Sequence, residues 1–419
     1  MFIEFKIGYN EAGMAAFRAF RQRTFVFLIG GQTLSRIGDF LYQVALAWWV
    51  LEKTNSGVAM GLVFLFSLIP TVLFVLLGGA LVDRLPRARL LFFSDTGRGV
   101  IMLSITLLAL SNHLELWMVY VGSLLFGFAD AFFTPALQAL IPQVTVQENL
   151  TSANSMNSLS NQLGRVVGPA LGGLLVGWGG TTLAFGINAV SFLISALTLL
   201  PLLSIPAPRR EDVTESTPPH VLADVREGFK TISAKPILWV SIIMFAFTNV
   251  TLSGPFSVGM PFLVKNHLGG DEKLLGLLYA TFPVGYAVSS LVLGSVTRLR
   301  YRGIALYICG AIAGIGLGIF GLRLPLWGLI VAALINGAAL EVCGLVWTNI
   351  LQEFVPEEKL GRVVSIDTLG SFVLLPLGYA LTGWLVDRVD VALVFVAAGG
   401  LAALMSLLPL FHASIRSLD

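Results

Sequence analysis

The sequence has few charged residues, few histidines and few cysteines for its length. Only 12% of its 419 residues are charged, against roughly 25% in an ordinary soluble domain. Cys309 and Cys343 both lie inside apolar runs, so we expect free thiols rather than a disulfide framework. The four histidines are scattered, which argues against a metal site or a clustered catalytic site. No nucleotide-binding loop is present, which disfavours an ATP-driven pump. No basic patch with interleaved aromatic residues is present either, so we expect no nucleic-acid partner. We expect no enzymatic activity and no cofactor.

Apolar runs near twenty residues long recur along the whole chain. Hydrophobic residues make up 56% of the sequence. In lipid every backbone polar group must be satisfied internally, so such runs form membrane helices. The pattern predicts an all-α membrane protein with twelve transmembrane helices in two six-helix pseudo-repeats. The predicted spans fall near 25–51, 58–82, 89–111, 115–139, 155–178, 182–204, 236–264, 273–297, 303–322, 326–351, 363–386 and 391–412.

One long polar segment, 206–235, separates six predicted spans from six. We therefore expect an N-terminal six-helix bundle over 1–205, a cytoplasmic linker over 206–235 and a C-terminal six-helix bundle over 236–419. The end of the linker, 221–230, has apolar residues at the spacing typical of a short amphipathic surface helix. The stretch 1–23 has no apolar core or cleavage site of a signal peptide, and we expect it to lie along the membrane surface.

Lysine and arginine are distributed unequally between the two predicted sides of the membrane. If both termini are inside, 20 of the 26 basic residues lie in inner segments, five lie in outer segments, and Arg36 lies within a span. Basic residues in short loops are retained on the cytoplasmic side. The bias predicts a multi-pass protein of the cell membrane with both termini in the cytoplasm.

A short basic turn joins the second and third predicted spans. Residues 79–89 read Gly-Ala-Leu-Val-Asp-Arg-Leu-Pro-Arg-Ala-Arg. This stretch resembles the loop 2–3 motif of the major facilitator superfamily, Gly-x-Leu-x-Asp-Arg-x-Gly-Arg-Lys, with Pro86 in place of the usual glycine. The resemblance covers essentially the whole chain, because six plus six helices related by a parallel repeat is the plan of those transporters.

The fifth predicted span carries a second motif. Residues 164–173 read Gly-Arg-Val-Val-Gly-Pro-Ala-Leu-Gly-Gly. They resemble the Gly-x-x-x-Gly-Pro-x-x-Gly-Gly motif of antiporters in that superfamily at every fixed position. The resemblance implies a tightly packed hinge, whereas ordinary small-residue packing of membrane helices is the simpler interpretation. The motif residues are Gly164, Gly168, Pro169, Gly172 and Gly173.

Three further stretches are most similar to the macrolide-efflux and enterobactin-exporter branch of the superfamily. They are 34–39 (Leu-Ser-Arg-Ile-Gly-Asp), 131–136 (Ala-Phe-Phe-Thr-Pro-Ala) and 361–363 (Gly-Arg-Val). One departure concerns the fourth span, where many drug/proton antiporters carry an intramembrane arginine. Here 124–130 reads Leu-Leu-Phe-Gly-Phe-Ala-Asp, so coupling through that arginine is not expected.

The resemblance also implies a conformational latch at the cytoplasmic end of the second span. Asp83 would dock on the start of span 11, near 361–365, where unpaired amides carry partial positive charge. In the alternative interpretation the basic residues of the turn only fix topology. Thr297 stands in loop 8–9 where Asp83 stands in loop 2–3, so the latch is expected in the first half alone. The predicted latch residues are Gly79, Asp83, Arg84, Arg87, Asp95 and Arg98.

Several charged residues fall within predicted spans. Asp39, Asp130 and Glu341 come out near mid-membrane when residues are counted at ~1.5 Å each. An ionised group there costs at least ~2.5–3 kcal/mol on insertion scales, so such groups default to functional candidates. We expect the three acids to line the transport cavity, with at least one of them carrying a proton.

Each of these acids has an alternative or a preferred interpretation. Asp39 has Arg36 one turn away, and the two form a structural ion pair in the alternative. Asp130 has Arg165 on the next span, and that pair would simply join spans 4 and 5. Glu341 has no obvious cationic partner, which makes it the best single candidate for coupling or for a cationic substrate.

The sequence therefore predicts a monomeric secondary transporter that exports an amphipathic small molecule in exchange for protons. The expected cargo is a drug, a macrolide or a siderophore-like compound, and the expected partners are that substrate, protons and membrane lipid. A lipid or lysolipid transporter of the same fold is the main alternative. An importer is disfavoured by the span-5 motif, and a non-transporting polytopic protein or membrane enzyme is disfavoured by the scattered histidines.

Overall fold

The computed structural model describes residues 18–82, 85–206, 221–294 and 301–416. The described part of the chain is helical and contains no strand. The helices of the first half are α1 (Arg23–Thr54), α2 (Gly57–Val82), α3 (Arg87–Leu110), α4 (Leu116–Val144) and α5 (Leu150–Leu199). α5 covers two predicted spans and is broken at Gly180, where φ is 74° and ψ is 174°. Glycine adopts that backbone conformation without steric cost.

The second half begins with the linker helix that the sequence predicts. Its helices are α6 (Val221–Ser233), α7 (Pro236–Gly254), α8 (Glu272–Gly294), α9 (Arg302–Ile319), α10 (Leu326–Phe354), α11 (Glu357–Phe372), α12 (Leu375–Val386), α13 (Val391–Leu407) and α14 (Ala413–Arg416). Two differences from the predicted spans are local. α7 continues through π-helical turns at Pro255–Gly259 and Leu263–His267, and predicted span 11 consists of α11 and α12 separated by a two-residue turn.

The described helices account for all twelve predicted spans. Ten helical stretches are long and apolar enough to cross a membrane, and one of them, Gln147–Leu202, contains two spans on either side of Gly180. α1 is not among the ten because Arg36, Asp39 and neighbouring polar residues lower its mean hydropathy. The all-α membrane fold is thereby confirmed. The predicted position of residues 1–17 lies outside the described residues.

The chain forms two compact units. The first consists of Met1–Ala45 and Phe66–Arg210, and the second of Leu46–Leu65 and Glu211–Asp419. The segment Leu46–Leu65, which is the end of α1 and the start of α2, thus packs with the second unit although it belongs to the first six-helix repeat in sequence.

In the first unit, α1 lies between the two arms of α5. A Cβ added at Gly168 would meet Phe40 Cβ at 2.5 Å and the Ile37 carbonyl oxygen at 2.8 Å. On the other side, a Cβ at Gly38 would meet Ser191 Oγ at 2.3 Å. Membrane helices associate through such small residues because close backbone approach maximises van der Waals contact. The span-5 glycines therefore fix the position of α1.

In the second unit, glycines play the same part between several helices. A Cβ at Gly337 of α10 would meet the Phe282 carbonyl oxygen of α8 at 2.0 Å, and one at Gly314 of α9 would meet Ala403 N of α13 at 2.5 Å. Cys309 and Cys343 are both free thiols, as predicted. Cys343 Sγ donates to the Leu306 carbonyl oxygen at 3.2 Å.

Candidate functional site

The first unit contains a buried cluster of charged residues at mid-helix. We call Arg98, Asp39, Asp95 and Asp130 the Arg98 cluster. Asp130 lies 14 residues from each end of α4 (116 to 130 and 130 to 144), and Asp39 and Arg98 lie near the midpoints of α1 and α3. At ~1.5 Å per residue these positions are roughly 15–24 Å from either helix end. Three different spans therefore bring their charges together at the same depth.

Arg98 pairs with all three carboxylates, but not equally. It donates a short hydrogen bond to Asp95, one turn away on α3. Its Nη1 atom lies 3.8 Å from Asp39 Oδ2 and 3.7 Å from Asp130 Oδ1. Charge-assisted pairs are strongest below about 2.9 Å, so Asp95 is the tight partner and the other two are held loosely.

Polar side chains from two other helix segments complete the environment of Asp95. Gln32 Nε2 of α1 donates to Asp95 Oδ2 at 3.0 Å, and Ser195 Oγ of α5 donates to the same oxygen at 2.7 Å. Asp95 is fully buried. A carboxylate with one guanidinium and two further donors is well compensated for its loss of hydration. The Asp95–Arg98 pair is thus the fixed part of the cluster.

Aromatic rings enclose the guanidinium of Arg98. Its Cζ atom lies 4.0 Å from the ring centroid of Phe133, 4.6 Å from that of Phe192 and 5.8 Å from that of Phe126. Cation–π contacts stabilise a desolvated cation by about 2 kcal/mol or more. The rings also exclude water, which strengthens the electrostatic interactions of Arg98 with its carboxylates.

The cluster contains more negative than positive charge, and its loosely held acids are accessible. The side chains of Asp39 and Asp130 are 26% and 42% exposed, against 2% for Arg98. Carboxylates at this depth of a membrane protein rarely face lipid, so both side chains remain candidates for the transport path. The Oδ1 atom of Asp39 is buried and has no hydrogen-bond partner among the described residues. An oxygen of that kind is suited to carry a proton.

Arg36 is directed toward α5 rather than into an ion pair with Asp39. Its Nη1 donates to the Asn157 carbonyl oxygen and to Ser160 Oγ, both at 2.9 Å, and its Nη2 donates to Asn157 Oδ1 at 2.7 Å. The ion pair that the structure records for Asp39 is with Arg98. Arg36 therefore joins α1 to α5 by neutral acceptors and leaves Asp39 to the cluster.

The alternative partner of Asp130, Arg165, also lies elsewhere. Its guanidinium is 5.9 Å from the ring centroid of Phe40, whereas Asp130 pairs with Arg98. The buried glycines of the span-5 motif contact the α1 residues next to Asp39, and a Cβ at Gly164 would lie 3.1 Å from Arg36 Cβ. The motif is thus part of what positions α1.

In the second unit, Glu341 is 4% exposed and lies near the midpoint of α10. A second buried acid, Asp367 of α11, was missed in the sequence. Trp347 Nε1 donates to Asp367 Oδ2 at 3.0 Å, and Ser371 Oγ donates to Oδ1 at 3.3 Å. Phe245 packs edge-on against Trp347 with ring centroids 5.1 Å apart. Asp367 lies within the predicted span 363–386, and that position is the sequence signal by which it could be identified.

The predicted latch residues fall into two groups. Asp83 and Arg84 lie outside the described residues, Gly79 lies in the last turns of α2, and Arg87 donates to the Ala139 carbonyl oxygen at 2.7 Å. Asp95 and Arg98 belong to the Arg98 cluster, about two and three turns further along α3 than Arg87. The latch itself stays a prediction. Among the described residues no group of acids, histidines and cysteines has the arrangement of a metal site.

Comparison with known proteins identifies the architecture. The family model for the Major Facilitator Superfamily matches residues 28–269 and 253–416. Macrolide efflux protein A of Streptococcus pyogenes is 24% identical over 392 residues, covering 93% of this chain and 96% of that protein. Enterobactin exporter EntS of Escherichia coli is 31% identical over 313 residues, covering 74% of this chain and 73% of that protein.

Solved structures show the same fold at low sequence identity. A bacterial homologue of the iron transporter ferroportin, in an inward-facing state, superposes with a TM-score of 0.70 at 17% identity and covers 94% of this chain and 99% of its own. A POT family transporter in complex with 5-aminolevulinic acid superposes with a TM-score of 0.73 at 11% identity, covering 95% and 97%. These two likenesses concern the fold alone.

Proposed function

The chain belongs to the Major Facilitator Superfamily, and from that premise we propose that it is a secondary active efflux transporter that exchanges an amphipathic small molecule for protons. That it is a multi-pass membrane transporter of a small molecule follows from its relatives. The names of those relatives, macrolide efflux and enterobactin export, support export of a drug, a macrolide or a siderophore-like compound. The antiporter-like glycine motif of 164–173 supports the same direction.

The observation that carries the proton-coupling proposal is the charge imbalance of the Arg98 cluster. Three carboxylates face one buried guanidinium, and the hydrogen bonds of Arg36 go to Asn157 and Ser160. Burying uncompensated negative charge at mid-membrane is costly, so at least one carboxylate gains from binding a proton. Asp39 and Asp130 are the candidates, since Asp95 is fully compensated.

In the proposed cycle a proton and the substrate occupy the same negatively charged site in turn. A proton binds a carboxylate oxygen of Asp39 or Asp130 and cancels one charge beside Arg98. When the proton leaves to the cytoplasm the site again carries excess negative charge. The Asp95–Arg98 pair stays intact throughout and keeps the site in shape. Glu341 is proposed to act on the same substrate path from the second repeat.

The proposal includes an orientation and a latch. Both termini face the cytoplasm on the evidence of the basic residues, and the protein works as a monomer in the lipid bilayer. Asp83 docks on the start of span 11 and holds the cytoplasmic side closed, as its motif implies. The carboxylate then competes with water for the unpaired amides of that helix.

A panel of amphipathic compounds in proteoliposomes tests this function. Purified protein is reconstituted, and uptake of macrolides, catecholate compounds and lysolipids is measured with and without an imposed pH gradient. We expect saturable movement of at least one macrolide or catecholate, accelerated when protons flow in the opposite direction. Movement that is unaffected by the gradient would contradict antiport, and movement of lysolipid alone would favour the lipid-transporter alternative.

A further inference from the structure

The residue after α12 caps the first turn of α2. Asp387 Oδ2 accepts from Ser56 Oγ at 2.9 Å and from the Val58 amide at 3.1 Å, and Asp387 Oδ1 accepts a short hydrogen bond from the Gly57 amide. The amides of a first helical turn have no partner within their own helix, and they carry partial positive charge. One carboxylate therefore satisfies three donors across 329 to 331 residues of chain. Both partners belong to the second compact unit.

Small residues bring the two helices together beside this contact. A Cβ at Gly57 would meet the Gly383 carbonyl oxygen at 2.5 Å, and one at Gly383 would meet the Gly57 carbonyl oxygen at 2.3 Å. One turn further along α2, a Cβ at Gly61 would meet the Tyr379 carbonyl oxygen at 2.7 Å. Such approach needs glycine on both helices, so the contact surface is built for close packing.

An aromatic pair extends the same surface. The ring centroids of Phe64 and Tyr379 lie 5.3 Å apart. Gly57, Gly61 and Phe64 follow the i, i+4, i+7 spacing of a single helix face. A continuous stripe of α2, over its first two turns, therefore packs along α12 and ends at Asp387. This is why Leu46–Leu65 clusters with the second unit although its sequence belongs to the first repeat.

The residues around Asp387 repeat the predicted cytoplasmic latch. Residues 383–388 read Gly-Trp-Leu-Val-Asp-Arg, and residues 79–84 read Gly-Ala-Leu-Val-Asp-Arg. The two hexapeptides differ only at the second position. In each hexapeptide the fifth residue is an aspartate, and it is the next residue in sequence after the end of a helix, α2 at Val82 in one case and α12 at Val386 in the other. The repeated sequence lies after span 11 and not in loop 8–9, where Thr297 stands, so the expectation of a latch in the first half alone does not take it into account.

We propose that Asp387 and the N-terminus of α2 form an outer latch, the counterpart of the cytoplasmic latch of Asp83. The inference rests on the proposed function for its direction, since the outer side is assigned from the basic residues. Asp387 holds the outer end of the transport path closed, and release of substrate outward requires its carboxylate to leave the α2 amides. The cytoplasmic latch joins the end of span 2 to the start of span 11, and the outer latch joins the start of span 2 to the end of span 11. Closing of one latch therefore accompanies opening of the other.

Distance measurements between spin labels test the outer latch. Cys309 and Cys343 are replaced by serine, and labels are placed at the exposed positions Lys53 and Val389. In lipid nanodiscs the unaltered latch is expected to give mainly a short distance. Asp387→Asn, which removes the charge and keeps the shape, is expected to raise the ratio of long to short distances about fivefold to tenfold.

Asp390→Asn is the matched control. Asp390 caps its own helix, accepting from the Ala392 amide at 2.8 Å, and makes no contact with α2 among the described residues. We expect it to leave the distance ratio unchanged. A milder second variant, Ser56→Ala, removes one donor and is expected to shift the ratio in the same direction as Asp387→Asn by a smaller factor.

The outcomes separate the latch from the proposed function. If Asp387→Asn and Ser56→Ala both keep the distance distribution of the unaltered latch, the inference is overturned even for an active exporter. If Asp387→Asn shifts the distribution while no compound of the proteoliposome panel is moved, the latch is supported and the proposed cargo is wrong.

Discussion

The carboxylate of Asp39 lies 3.8 Å from the guanidinium of Arg98, and its second oxygen is buried with no hydrogen-bond partner among the described residues. Arg98 meanwhile holds Asp95 tightly. The guanidinium of Arg98 is thus shared between one tightly bound carboxylate, that of Asp95, and two loosely held ones, those of Asp39 and Asp130. In the proposed function this asymmetry would let the cluster bind a proton without losing its structure, because the compensated pair remains when one of the other acids is neutralised.

Loss of Arg98 should destabilise the first unit strongly. Arg98→Met leaves three carboxylates without their shared cation, and breaking a buried pair costs about 3–5 kcal/mol. Thermal unfolding in detergent measures the loss. Arg388→Met is the control, since Arg388 is exposed and contacts Trp384 over its ring at 4.4 Å; its effect should stay within about 0.5 kcal/mol. An equal decrease in the thermal midpoint of the two variants would contradict the inference that Arg98 compensates the charge of the three carboxylates.

The same variant offers a rescue test. In Arg98→Met/Asp39→Asn one of the stranded charges is also removed, so we expect the double variant to be more stable than Arg98→Met alone. Double-mutant cycles report coupling of 0.5–3 kcal/mol between residues in one network. Additive destabilisation by the two substitutions would show that Asp39 and Arg98 are not energetically coupled.

Substitution of a span-5 glycine should displace α1 and the Asp39 that it carries. Gly168→Ala places a Cβ 2.5 Å from Phe40 Cβ, and overpacking of this kind costs about 1–3 kcal/mol. The thermal midpoint and the rate of proton-driven efflux should both fall. Gly30→Ala on α1 itself meets nothing within 4 Å and should leave both unchanged. If the two variants behave alike, the close approach is not what positions α1.

The contact of the linker helix α6 with α11 should weaken slightly in acid. Glu227 accepts from Lys359 at 2.8 Å and from Arg362 at 2.5 Å, and these two partners, Lys359 first, hold the pKa of Glu227 below its ordinary value. The stabilisation is therefore complete above the ordinary pKa of a glutamate and is lost as the pH falls through the lowered one. Hydrogen exchange of α6, measured from neutral to acidic pH, should show this loss.

Glu227→Gln removes that pH dependence by removing the titrating group. The protection factors of α6, which are exchange rates relative to the intrinsic rate at each pH, should be lower than wild type at neutral pH and should not change in acid over the same range. Glu148→Gln, an exposed acid on the first unit, serves as the control and should leave α6 unaffected. A wild-type α6 with the same protection factors at neutral and acidic pH would show that the ion pairs do not hold it. The effect is small, because the pairs are solvent-exposed.

Glu341→Gln separates two roles for that buried acid. If Glu341 carries a coupled proton, efflux of every substrate should lose its dependence on the pH gradient. If Glu341 binds a positive group of the substrate, the KM for cationic compounds should rise while neutral compounds are moved as before. Proteoliposome assays on one cationic and one neutral compound distinguish these results. Unchanged transport of both would remove Glu341 from the site.

The membrane spans were predictable from sequence, whereas the partners of the buried charges were not. Hydropathy locates a span because lipid penalises polar groups at every position alike. Pairing depends on helix rotation and on which neighbours approach, and neither is written in one segment. Arg98 illustrates this, because its depth follows from its place in the predicted span 89–111, whereas its pairing with Asp39 and Asp130 on two other spans does not.

The sequence does contain a signal for Asp387. The repeated Gly-x-Leu-Val-Asp-Arg sequence identifies Asp387 as the counterpart of Asp83, whereas alignment of the two halves in order places loop 8–9 opposite loop 2–3. The contacts of Asp387 with Ser56 and Gly57 involve helices distant in sequence. The turn at Val373 and Leu374 that separates α11 from α12 comes just before Pro376, which has no backbone N–H with which to continue the helix, so the proline is a local signal for the break.

Proton movement measured together with substrate transport tests the proposed proton exchange most directly. A pH-sensitive dye trapped in proteoliposomes reports proton movement, and labelled substrate reports transport. Both are measured for the wild type, Asp39→Asn, Asp130→Asn, the double variant Asp39→Asn with Asp130→Asn, and the control Asp390→Asn. We predict proton movement opposite to substrate in the wild type and the control. Asp39→Asn, or Asp39→Asn with Asp130→Asn, should abolish proton movement while substrate exchange persists. Wild-type proton movement in the double variant would contradict the central role of the Arg98 cluster.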